Sequence, residues 1–199
     1  MSFFRKFRKS INNNRPKTDS DAIFSLSSAY ITLETKLGLK NTGRCAVSLK
    51  SVSGMHFTEM KDDIQRFLDA SKAEFELSYN IVIDSYGYLW VMLQGKSMED
   101  ILAQLIAVGD TIQEKGFSNQ LLAAVFEFSG EGKNNNYNNK NHRQYLIYNY
   151  KYNKFYPFVP IGQEIRNTEE EMRIMAEIAD EVPLERDMTL WYPLWDLPL

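Results

Sequence analysis

Apolar residues recur at three- and four-residue steps over Ile23, Leu26, Tyr30, Leu33 and Leu37, the spacing of one buried helix face. Asp19 or Ser20 supplies an N-cap and Gly38 a C-terminal stop. The period then changes to two. Cys45, Val47 and Leu49 alternate with Arg44, Ala46, Ser48 and Lys50, which predicts a half-buried strand. Ser53 precedes a second helical stripe of Phe57, Met60, Ile64, Phe67 and Leu68. From Phe75 the two-residue period returns through Leu77, Tyr79, Ile81 and Ile83, and Asp84-Ser85-Tyr86-Gly87 turns the chain into Tyr88–Leu93, a hairpin. Ser97 caps a third helix with Ile101, Leu102, Leu105, Ile106, Val108 and Ile112 on its apolar face, stopped at Gly116. Strands are predicted over Leu121–Phe128 and Gln144–Tyr152. A last helix follows, capped by Asn167 or Thr168 with Glu170 or Glu171, and runs through Met172, Met175, Ile178 and Ala179. Hairpins imply antiparallel pairing, so the class is α+β: helices packed on a mostly antiparallel sheet, followed by an extended apolar C-terminal tail.

Residues 129–143, between the second pair of strands, hold six Asn, two Gly and almost nothing apolar. That composition predicts a disordered loop. With no fixed-period repeat and no other break in composition, residues 19–199 read as a single domain. Residues 1–18 read as an arm and a linker whose polar stretch Asn12–Lys17 holds the helix-breaking Pro16.

The net charge of −3 hides an asymmetry. Residues 1–17 carry Arg5, Lys6, Arg8, Lys9, Arg15 and Lys17 and no acid, which leaves 17 basic against 26 acidic side chains in the rest, a net of −9. A body of that charge is poorly suited to nucleic acid. If residues 2–11 are helical, Phe3, Phe7 and Ile11 fall at four-residue steps beside Phe4, flanked by Arg5, Lys6, Arg8 and Lys9. Such an arm has the form of a helix lying on an anionic membrane surface. The competing reading is a solubilising tail, or one docked on its own acidic body. No apolar run reaches the length of a membrane span, so the expected place is the cytoplasm, peripheral at the inner face of the membrane.

Candidate chemistry is sparse. Cys45 is the one cysteine, and His56 and His142 are the only histidines, so a disulfide framework or structural zinc is excluded by count. Neither histidine has a nucleophile motif around it. Gly130-Glu131-Gly132-Lys133 imitates the end of a phosphate loop, but Glu127 replaces its first glycine and Asn134 its Ser or Thr. Glu169-Glu170-Glu171 reads as a helix-dipole complement rather than as metal ligands. Cys45 reads as a buried hydrophobe. No catalytic residue, cofactor or metal is expected, and the chain reads as a non-enzyme. Seven aromatics between Tyr145 and Phe158, interleaved with Arg143, Lys151 and Lys154, could stack bases or peptide, but read more simply as a half-buried strand.

The C-terminal Trp191-Tyr192-Pro193-Leu194-Trp195-Asp196-Leu197-Pro198-Leu199 can be neither helix nor central strand. Trp191, Tyr192, Leu194, Trp195 and Leu197 are therefore candidates to fill an apolar groove or to bind protein. Together with Phe155–Pro160, Gly116–Phe126 and Tyr86–Val91, this segment resembles the PspA-associated protein PspAB family over about Asp21 to Leu199, with Asp196 standing where glycine is usual. The resemblance implies a part in a phage-shock type of envelope-stress response, a PspA-like coiled-coil partner and, for some relatives, a link to an HtpX-like membrane protease.

The resulting expectation is a cytoplasmic adaptor or regulator that binds a PspA-like protein and touches the membrane through Phe3, Phe4, Arg5, Lys6, Phe7, Arg8 and Lys9. The alternative, from the order of helices and hairpins, is a dimeric secretion-chaperone-like module that binds extended peptide on the aromatic strand 145–158.

Overall fold

The computed structural model describes residues 18–130 and 142–199; the arm, with its proposed membrane contacts Phe3–Lys9, and the centre of the Asn-rich loop lie outside them. The chain begins with α1 (Asp19–Phe24) and α2 (Leu26–Leu37), then β1 (Lys40–Lys50), α3 (Met55–Ser71), the hairpin β2 (Ser78–Ile83) and β3 (Tyr88–Gln94), and α4 (Met98–Glu114). It continues through β4 (Leu121–Gly130), β5 (His142–Asn149), β6 (Lys154–Phe158), a small pair β7 (Pro160–Gly162) and β8 (Ile165–Arg166), and α5 (Thr168–Glu177). Six strands form one sheet in the order β2-β3-β1-β4-β5-β6, every neighbouring pair antiparallel. The α+β class is therefore as the hydrophobic pattern predicts.

Several local expectations change. The first helix is capped by Thr18, not Asp19 or Ser20: the Thr18 hydroxyl accepts from the Asp21 N–H, and the Asp21 carboxylate accepts from the Thr18 N–H. That helix is also broken at Ser25, whose hydroxyl donates to the Ala22 carbonyl. The strands flanking the Asn-rich stretch reach further into it than composition implied, since Gly130 still pairs with His142. The aromatic stretch after Gln144 is two strands, turned at residues 150–153. The second of them, β6, contains Pro157. The Phe155 N–H and carbonyl face the sheet edge, bonding to the Pro183 carbonyl and the Glu185 N–H. Position 157 faces the same way, so its missing N–H costs no ladder bond. On α5 the buried side chains are Glu171 and Ile174, while Met172 is exposed, which rotates the predicted face.

Alternation along the strands gives the sheet two apolar faces. Cys45, Val47, Leu49, Val91, Phe126 and Tyr148 point toward the helices and pack with Leu33, Met60, Ile64 and Leu105. Cys45 is buried, and burial pushes its thiol up, as expected for an inert hydrophobe. The other face carries Ala46, Trp90, Ala123, Val125, Tyr145, Ile147, Tyr156 and Phe158, with Trp191, Leu199 and part of Met175 packed on it. Gly43 marks an irregularity in β1. Its backbone is left-handed, and a Cβ there would overlap the Gly95 carbonyl oxygen.

One ion pair fastens the second layer. Glu171 is fully buried, and both its oxygens accept from Arg166 Nε at 2.9 Å, while Oε1 also accepts from the Val159 N–H. Arg166 Nη1 donates to the Trp191 carbonyl and Nη2 to the Pro157 carbonyl. Its guanidinium lies 5.4 Å from the Phe158 ring centroid and 5.7 Å from that of Trp191.

Arg166→Met leaves the Glu171 carboxylate buried without its counter-charge and is expected to cost about 3–5 kcal/mol in urea unfolding. The double variant Arg166→Met with Glu171→Leu should lose clearly less than the sum of the two single losses, and strict additivity would contradict the coupling.

The β2–β3 turn gives a second prediction. The Asp84 carboxylate accepts from the Tyr86 and Tyr88 N–H groups, each at 2.9 Å, and from the Trp90 indole at 2.8 Å. Burial pushes this carboxyl up, but the hydrogen bonds outweigh it and hold the group below its ordinary range. With the folded value below the unfolded one, the stabilisation is present above the unfolded value near 4 and fades as pH falls through the folded value. Asp84→Asn should therefore cost on the order of 1 kcal/mol at pH 7. The gap between variant and parent should narrow at pH 3, and a constant gap at both pH values would refute this role.

Candidate functional site

The second face of the sheet is incompletely covered. One lateral row across it runs Val82, Trp90, Ser48, Ala123 and Asn149. Its middle positions are small, so the floor dips between Trp90 and the neighbouring Tyr156. The C-terminal segment lies over the far part of this face and reaches the dip only with Tyr192 and Leu194. The result is a groove with a volume of about 930 Å³.

Its walls are mainly aromatic. Trp90 is held by its indole bond to Asp84, and the Tyr156 hydroxyl donates to the Tyr192 carbonyl at 2.9 Å. Tyr88, Leu122 and Tyr192 are 37%, 39% and 49% exposed, so the groove presents apolar surface to solvent. Ser48 on the floor donates to the Ala123 carbonyl at 3.4 Å, and His56 does not line the groove. His56 is exposed beside Glu59. Among the described residues no group of three His, Cys, Asp or Glu is placed to hold a metal.

Past Leu121 and Leu122 the groove turns over the end of β4 and becomes polar, meeting Asp19, Gln113, Asn119 and Lys151. Asp19 accepts from the Tyr148 hydroxyl at 2.6 Å and from Gln113 Nε2 at 3.2 Å, and Ser20 donates to Asp110 at 2.9 Å. Burial raises the Asp110 carboxyl, the Ser20 bond works against this, and the charges of Glu114 and Asp19 add to the rise. Tyr150 also lines the groove. It is 8% exposed, and its buried hydroxyl has no hydrogen-bond partner. Burial, and then Asp19 and Asp110, push its ionisation far above the ordinary phenol value.

The structure separates the C-terminal candidates. Trp191 is buried, donates its indole N–H to the Glu185 carbonyl and stacks on Tyr156. Trp195 packs edge-on against Phe158 with centroids 5.1 Å apart, and Leu197 is half-buried in the same layer. Only Tyr192 and Leu194 of this set line the groove. The aromatic strand is not an open platform: Tyr145, Tyr148, Tyr150, Phe155, Tyr156 and Phe158 are all buried in the two layers. Of the tyrosines in residues 145–158, Tyr150, Tyr152 and Tyr156 line the groove. Tyr88, Trp90 and Leu122 were not foreseen as site residues. The available signal was Tyr88-Leu89-Trp90-Val91-Met92-Leu93, apolar at both parities and so meant for a strand covered on both sides.

No curated protein matches this chain. A family model does, the one described as PspA associated protein B, over residues 1–199. With four separate sequence blocks and the whole length in agreement, the chain belongs to the PspAB family.

Proposed function

We propose that this protein is a non-enzymatic adaptor in a PspA-type membrane-stress response, holding an apolar segment of a PspA-like partner in the groove on the second sheet face. The observation that carries the reading is the solvent-open wall of Tyr88, Leu122 and Tyr192 around a floor of small side chains. Such a site suits large apolar side chains of a partner. The family name supplies the association with PspA.

Among the described residues no helix is long and apolar enough to cross a membrane. Contact with the membrane is therefore assigned to the arm, where Arg5, Lys6, Arg8 and Lys9 would each add about 1 kcal/mol near an anionic leaflet and Phe3, Phe4 and Phe7 would insert. The protein would then act at the cytoplasmic face as a peripheral component.

Immobilised full-length protein should capture a PspA-like protein from a lysate of its own source, and the same eluate reports on an HtpX-like protease. Leu122→Arg and Tyr192→Glu should each weaken the PspA interaction at least tenfold, with unchanged circular dichroism. Reversing Arg5, Lys6, Arg8 and Lys9 to Glu should abolish flotation with anionic vesicles. Capture that ignores both groove substitutions would move the partner elsewhere, and no capture by the parent protein would end the adaptor reading.

A further inference from the structure

Asp19 and Lys151 line the groove's polar end, and Asp110 and Glu114 lie near Asp19 outside that lining. Asp19, Asp110 and Glu114 pair with no Lys or Arg among the described residues, although Asp19 and Glu114 are near enough to raise the Asp110 carboxyl. The unpartnered Tyr150 hydroxyl is buried against Gly109 of α4. A ligand that brings cations to this end and bulky apolar groups to the aromatic end would answer both features.

The chain carries such a segment at the right place. Asp19 lines the groove, so the described chain begins at its rim. Residues 1–17 hold six cations, no acid, and Phe3, Phe4 and Phe7. Arg15 and Lys17 lie within four residues of Asp19, next to the acids. Phe7 is 11 residues from Thr18, and at about 3.3 Å per extended residue it can reach about 36 Å, enough to enter the aromatic end. We propose that in the free protein the N-terminal arm occupies this groove, its Phe side chains between Tyr88, Leu122 and Tyr192 and its Arg15 and Lys17 on the acids around Asp19.

The tether favours this occupant over an outside one. A short flexible connection gives an effective concentration on the order of millimolar, so even a weak arm contact keeps the groove filled until a competitor exceeds it. The proposal concerns the chain alone and does not need the partner to be PspA-like.

The test uses full-length protein without vesicles or partner. With p-benzoylphenylalanine in place of Phe7, irradiation should give crosslinks within one chain to peptides containing Leu122, Tyr152 or Tyr192. Trypsin cleavage between Arg5 and Lys9 should be at least fivefold faster in Leu122→Arg than in the parent protein, with identical circular dichroism. Crosslinks only to other surfaces, crosslinks only between two chains, or equal cleavage rates in parent and variant would each overturn the proposal.

Discussion

A single guanidinium decides where the last part of the chain can lie. Arg166 is sandwiched against Phe158 and Trp191, and its N–H groups go to Glu171, Pro157 O and Trp191 O. A buried ion pair is a poor source of net stability, because desolvation cancels most of the attraction. Its value is directional. Five donors in a fixed plane leave few ways to satisfy Arg166, and the arrangement found ties β6, β8, α5 and the start of the C-terminal segment into one register. Everything after Trp191 is thereby delivered to the second sheet face.

That delivery explains why the sheet tolerates two apolar faces. An antiparallel sheet ordinarily turns a polar face to water. Here Val125, Ile147, Tyr156 and Phe158 would be exposed without Trp191, Trp195 and Leu199 over them. At the end of the same layer Arg143 bridges Glu127 and the Leu199 carbonyl, while Glu127 also receives Arg44. The cover is thus pinned by a buried carboxylate at each of two places. Between Tyr192 and the β2–β3 turn it stops short and leaves Tyr88 and Leu122 partly exposed, and the groove is that shortfall rather than a cleft between two bodies.

The helices and β1 were legible because each declares itself within some ten residues: the stripe of Phe57, Met60, Ile64 and Leu68 is buried as its spacing predicts. Failures occurred where tertiary contacts outvoted local rules. Thr18 caps because Asp19 is engaged by Tyr148 and Gln113, partners about a hundred residues away. Glu171 was read only as a helix-dipole complement because its partner, Arg166, precedes the helix and carried no pattern of its own. Strand β6 tolerates Pro157 because that position faces the sheet edge, a fact only the fold supplies. The groove was least legible of all. Its floor comes from β1 and β4 and its walls from β3, β6 and the C-terminal segment, and only the cross-strand register places Ser48 between Trp90 and Ala123.

An arm that fits its own groove also changes how the surface around it must be read. The groove would have two claims on it, one tethered and one free, and the tethered claim sets a threshold for the other. Anything that takes hold of Arg5, Lys6, Arg8 and Lys9 elsewhere, such as an anionic surface, subtracts from the tethered claim and lowers that threshold. Linkage then requires the reverse as well: a partner seated in the groove must strengthen the arm's hold on that surface by the same factor. Such coupling needs no movement of the sheet or helices. It needs only that one segment has two mutually exclusive places to be, and the charge split along this sequence, six cations before a body of net −9, supplies the attraction for the inner one.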